Sequence, residues 1–249
     1  MKDEIKMFLT YADKYIAEDK KHILKKEHTL RVMDLCERIA INLKLSNSYI
    51  KLAKLCGLLH DIARFEQLKR YNTFIDKLSI DHGDLGVEIL LQNNFIRKFN
   101  NDKSLDSIIL NSVKYHNKYK VPDELNEKEK LFINIVRDAD KIDILNLIVK
   151  DEIQIDISND EITDEVYKNI LNNKTLDRTK NKTEADRMCT WFGFVYDFNF
   201  KYSLEILKEK NYINLIIDKY MNKTNNVLTK ERLRNIKLHI NKYLDGDEK

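Results

Sequence analysis

At 249 residues with 43% hydrophobic side chains, the chain can bury a sizeable core, while a single proline and five glycines leave too few turn formers for an all-β architecture. Its 44 basic residues nearly cancel its 41 acidic ones and the signs are interspersed, so the +3 charge describes a solvated surface rather than a basic stripe for nucleic acid. Cys36, Cys56 and Cys189 lie in apolar stretches without CxxC spacing, and the start at Met1-Lys2-Asp3-Glu4 has no long apolar run, so a cytoplasmic protein with reduced thiols and no membrane span is expected.

Helical spacing dominates from the start, and a single all-α domain over residues 1–249 is expected, with a bundle core at about 20–150 and a helical extension over 151–249. Ile5, Phe8, Leu9, Ala12, Tyr15 and Ile16 form one apolar face. A second helix is predicted from about Ile23 to Leu43, with Val32, Leu35, Cys36 and Ile39 inward and His28 on the same face. The third starts near Ser46 to Ser48, which supply N-caps, and its inner face of Leu52, Leu55, Cys56 and Leu59 delivers His60 and Asp61 at its end. Beyond Ile62 to Gln67, a polar and aromatic connection runs through Arg70 to Phe74; Arg64, Gln67 and Tyr71 are candidates to line a mouth.

Ser79 or Asp81 caps a further helix carrying Leu85, Ile89 and Leu90 inward, with His82 in its first turn. Leu105, Ile108, Ile109, Ser112 and Val113 make a stripe that His116 continues before Val121-Pro122. Phe132, Ile135, Val136, Ala139, Ile144, Leu147 and Ile148 make another. Asp140 lies on that stripe, Asp143 close to it, and Asp138 is read as solvated. A carboxylate held on an apolar face needs a cation, a hydrogen-bond network or a proton.

Ile153, Ile155 and Ile157 alternate with polar residues as a short extended piece would, and Ser158 with Glu161 fits a capping box for a helix through Val166 and Ile170. Thr183 and Asp186 open a long aromatic helix from Met188 to Ile206, which reads as core rather than as a ligand box. Two amphipathic helices close the chain, carrying Ile213, Ile216, Ile217 and Tyr220, then Leu233, Ile236, Ile240 and Tyr243. His22 and His239 stand apart as ordinary structural or surface residues.

His28, His60, Asp61, His82, His116 and Asp140 each have a bland reading alone; together they supply enough nitrogen and oxygen ligands for two metal ions in a bundle core. His28, the His60-Asp61 doublet and Asp140 in Arg137-Asp138-Ala139-Asp140-Lys141 follow the order of the four metal ligands of the HD-domain metal-dependent phosphohydrolase superfamily. His82 in Asp81-His82-Gly83 and His116 in Lys114-Tyr115-His116-Asn117 match the extra histidines of its two-metal members. Over roughly residues 20–150 the chain resembles that superfamily. The resemblance implies an HD-domain helical bundle with one or two divalent ions (iron, manganese, cobalt, nickel or zinc), Asp61 bridging when both are present, and Arg64 and Lys141 as candidate phosphate binders. No Gly-Tyr-Pro follows the site, and the doublet precedes Ile62-Ala63-Arg64-Phe65 rather than the acidic pair of alarmone hydrolases. The segment from Ile62 to Phe74 instead looks like small bacterial HD-domain proteins.

The expected activity is hydrolysis of a small phosphate ester, such as a nucleotide, through metal-activated hydroxide. A di-iron oxygenase on the same fold, or a non-enzymatic nucleotide- or partner-binding module with a structural metal, uses the same residues. No oligomeric state follows from the sequence.

Overall fold

The computed structural model describes residues 1–246, which divide into two compact units, Met1–Asp140 and a second beginning at Lys141. Among the described residues the secondary structure is helical throughout, with no strand, and no helix is long and apolar enough to cross a membrane.

In the first unit, α1 (Lys2–Glu18) buries Phe8 and Ala12, and α2 (His22–Asn42) buries His28, Val32, Cys36 and Ile39. Leu43 to Leu45 turn the chain through a left-handed Lys44, and Ser46 caps α3 (Asn47–Leu59) by accepting from the Tyr49 amide. α2 and α3 approach closely at Gly57, where an added Cβ would lie 2.8 Å from Cys36 Sγ and 3.0 Å from Met33 Cα. That contact sets the spacing between the helix carrying His28 and the helix ending at His60. Replacing Gly57 by Ala is therefore expected to destabilise the fold by about 1–3 kcal/mol, the usual range for overpacking. Urea denaturation would show it as a lower midpoint with an unchanged slope.

The segment after Asp61 is more ordered than the sequence reading anticipates, because Ala63–Tyr71 forms α4 with Phe65 and Leu68 buried. Its amphipathic pattern spans only about two and a half turns, too few for periodicity to stand out. Asn72, in the left-handed conformation with its amide bonded to Leu68 O, ends α4 and releases a strap over residues 73–81. Asp81 then caps α5 (His82–Leu91), accepting from the amides of Gly83 and Asp84. α6 (Asp106–Tyr115) packs against α5 and ends at His116. α7 (Glu127–Val149) follows, and the boundary between the units falls within it.

The second unit contains α8 (Asp164–Leu171), α9 (Glu184–Gly193), α10 (Lys201–Lys210), α11 (Tyr212–Lys223) and α12 (Val227–Asp245). Ile157 is buried, but no ladder forms around it. The expected Ser158 cap is replaced: α8 starts at Thr163, whose amide and hydroxyl both donate to the buried Asp186 carboxylate, while Ser158 turns back onto Asp156. The long aromatic helix is two helices. Extended backbone at Phe198 and Phe200 breaks it, and the Lys141 ammonium takes the Asp197 carbonyl that a continuous helix would use. Met188, Trp191, Phe192 and Val195 are buried, consistent with core.

Candidate metal centre

His60 caps the C-terminus of α3, and its Nδ1 lies 2.8 Å from Gly57 O. A carbonyl only accepts, so Nδ1 carries the proton and Nε2 presents its lone pair. That buried Nε2 has no hydrogen-bond partner, a costly arrangement for a polar atom unless a cation takes it. His116, capping α6, repeats the device with Nδ1 2.7 Å from Val113 O. Arg137 secures the same turn, its Nη1 donating to the carbonyls of Tyr115, His116 and Lys118. His82 differs: its Nδ1 faces Asp76 Oδ2 of the strap at 2.7 Å, and Asn117 Nδ2 lies 3.3 Å from Asp76 Oδ2 as well.

The six side chains anticipated as ligands converge, and Asp61 lies between two sets. Its Oδ2 is 3.6 Å from His28 Nε2 and 3.7 Å from His60 Nε2; its Oδ1 is 3.4 Å from His82 Nε2 and 3.6 Å from His116 Nε2. Asp140 Oδ1 joins the first set, 3.1 Å from His28 Nε2 and 3.7 Å from His60 Nε2. His28, His60 and Asp61, and separately Asp61, His82 and His116, form buried groups whose ligand atoms lie within 4.8 Å of one another and could hold a metal ion. The Nε2 atoms of His82 and His116 are only 3.0 Å apart. With both Nδ1 protons committed elsewhere, two lone pairs face each other there. Two nitrogens at right angles on one ion, each about 2.1 Å from it, would be separated by about 3 Å. The donor set therefore fits a divalent cation.

Residues 26–145 match the HD domain family. This part of the chain is an HD domain. No curated protein and no solved structure matches the chain.

Burial lowers the pKa of both His60 and His82 in the HD domain, that of His82 to about 3 with Arg64 adding to the effect, so both rings are neutral near pH 7. Burial pushes the Asp61 carboxyl up, but the Lys25 ammonium, His60 and Arg64 outweigh it and hold it well below the usual carboxylate range. Asp140 is likewise raised by burial and pulled further down by His28 and His60. Neutral imidazoles and ionised carboxylates are the ligating forms.

The two candidate phosphate binders are engaged within the protein. Arg64 Nη1 donates to Gln67 Oε1, Phe74 O and Asp76 Oδ1 at 2.6, 2.7 and 2.9 Å, which ties the strap to α4. Gln67 does the same work with Asp76, Ser79 and Ile80, and is fully buried rather than lining a mouth. Tyr71 is exposed. Lys141 is buried and paired with Asp197.

Asp138, expected to be solvated, has no exposed surface. α7 is enclosed by neighbours on several faces, with Ile133, Arg137, Asp138 and Ile142 all buried beside the predicted stripe, so a one-sided helical pattern misassigns it. The sequence reading also passed over Lys25, whose Nζ is 3.0 Å from Asp61 Oδ2, and Asp76. Lys25 precedes His28 by three residues and so shares its helix face, a usable signal hidden among many lysines. His22, set aside as structural, is buried with Nδ1 2.8 Å from Asp19 O and Nε2 3.0 Å from Phe65 O.

Proposed function

We propose that the protein is a metal-dependent phosphohydrolase acting on a small phosphate ester, such as a nucleotide, with His28, His60, Asp61, His82, His116 and Asp140 as ligands of two divalent ions. The observation that carries this reading is the division of Asp61, one oxygen directed at His28 and His60 and the other at His82 and His116. Bound ions would supply Lewis acidity toward a phosphoryl oxygen and bring the pKa of a coordinated water toward neutrality. The chain's own residues prepare that chemistry. Gly57 O and Val113 O hold the His60 and His116 rings with Nε2 toward the cluster, and Asp76 does so for His82.

Charge balance supports an anionic substrate. Asp61 faces Lys25 and Arg64, Asp76 faces Arg64 and Asp140 faces His28, so three carboxylates are offset by two cations before any metal enters. Two divalent ions would leave a strong positive excess in a poorly hydrated site, which a phosphate ester neutralises.

Phosphate release from a panel of phosphomonoesters, phosphodiesters and nucleotides by metal-loaded protein tests the reading. Turnover of at least one class is expected. Failure across the panel, with oxygen consumption by iron-loaded protein, would replace it with the di-iron oxygenase. Changing Asp76 to Asn is expected to weaken binding of one ion about 10- to 100-fold, as for other partners of metal-bound histidines, while the ion on the His28 side stays. Titration with a competing chelator would resolve the two affinities.

A further inference from the structure

Lys25 sits on α2 three residues before His28, and its ammonium is 3.0 Å from the Asp61 oxygen directed at His28 and His60. The His28, His60 and Asp61 side chains are at most 3% exposed, whereas that of Lys25 is 16% exposed, so the Lys25 side chain stands at the margin of the buried cluster. The ammonium also lies 5.5 Å from the centre of the Phe74 ring on the strap. The neighbouring cation, Arg64, already serves three acceptors through one nitrogen. An ammonium carries three donors, and Asp61 takes one.

We propose that Lys25 is a catalytic residue that binds the phosphoryl group of the substrate, an inference that rests on the phosphohydrolase reading. A divalent ion on Asp61 Oδ2 would share that oxygen with Lys25, and two cations on one carboxylate oxygen repel each other. A phosphoryl oxygen placed between them relieves the repulsion and satisfies the ammonium. Lys25 donates hydrogen bonds to non-bridging oxygens whose charge grows in the transition state, and no covalent bond to it forms or breaks. A terminal phosphate group is favoured over a doubly substituted one, since a monoester offers more charged oxygens to the same ammonium.

The test compares wild-type protein with Lys25→Met and Lys25→Arg, each metal-loaded. Metal content is measured by elemental analysis, inorganic phosphate binding by calorimetry, and turnover on the ester panel. Lys25→Met is expected to keep its metal, bind phosphate about 10- to 100-fold more weakly, as for loss of one charge-assisted hydrogen bond, and lose kcat/KM on monoesters. Lys25→Arg is expected to recover part of both. Unchanged phosphate binding and turnover in a folded, metal-loaded Lys25→Met protein would overturn the inference and leave the hydrolase reading standing. Loss of metal from both variants would also overturn it, assigning Lys25 to support of Asp61. Wild-type protein that holds metal yet neither binds phosphate nor turns over any ester would remove the hydrolase reading and this inference with it.

Discussion

Replacing Asp61 by Asn is expected to reduce phosphate-ester turnover by at least about a thousandfold, beyond the 10- to 100-fold typical of groups that only support a ligand, and to bring bound metal below one ion per chain. The size of the effect follows from geometry. Each Asp61 oxygen addresses a different pair of histidines, so one substitution touches both sets. An amide keeps the shape but offers one neutral oxygen in place of two charged ones. It also leaves the Lys25 ammonium without the carboxylate 3.0 Å away. Elemental analysis and the ester panel, with circular dichroism to establish folding, check the result. A folded Asp61→Asn protein with two ions and ordinary turnover would refute the shared-ligand arrangement.

Metal-free protein is expected to lose stability as the pH falls from about 6.5, the unfolded histidine value, toward the value of about 3 for His82. The folded-state pKa is depressed, so between those values the unfolded chain holds a proton that the folded chain does not, and acidification favours unfolding. Each such histidine costs about 1.4 kcal/mol per pH unit in that window. Across it, His82 alone accounts for a loss on the order of 5 kcal/mol; His60, lowered by burial, adds in the same direction. Asp61, Asp76 and Asp140 act lower down. Their depressed pKa values contribute stability that is fully present above about pH 4, the unfolded carboxylate value, and lost as the pH falls further. Urea denaturation of chelator-treated protein across this range gives the profile, and His82→Gln should flatten its upper limb. A midpoint constant from pH 7 to pH 4 would contradict the neutral, buried state of these rings.

The sequence carried the cluster further than it carried its surroundings. His28, His60-Asp61, His116 and Asp140 fell on inward faces because each continues an apolar helical stripe, and the HD-domain motif order joined them. His82 had only its position in a first turn, and its burial depends on the strap, which no periodicity describes. Asp76 and Gln67 act through contacts made only once α4, the strap and α5 are assembled, so their roles left no local mark. Asp138 misled for the opposite reason: periodicity assumes one wet face, and that part of α7 has little. The break before α10 has no local sequence signal, because neither proline nor glycine stands at Phe198 to Phe200; Lys141, distant in sequence, takes the Asp197 carbonyl instead.

The strap over residues 73–81 gives the two histidine pairs different dependence on local opening. His28 and His60 stand on α2 and α3, locked by the close approach at Gly57, and that pair persists as long as the core does. His82 opens α5 immediately after the strap, and its ring is oriented by a strap carboxylate that Arg64 and Gln67 tether through polar bonds alone. Polar tethers near solvent release at lower free energy than a packed helix pair. The domain is thus built to hold one half of its cluster persistently and the other conditionally, so the number of ions such a cluster would carry would report how often the strap lets go.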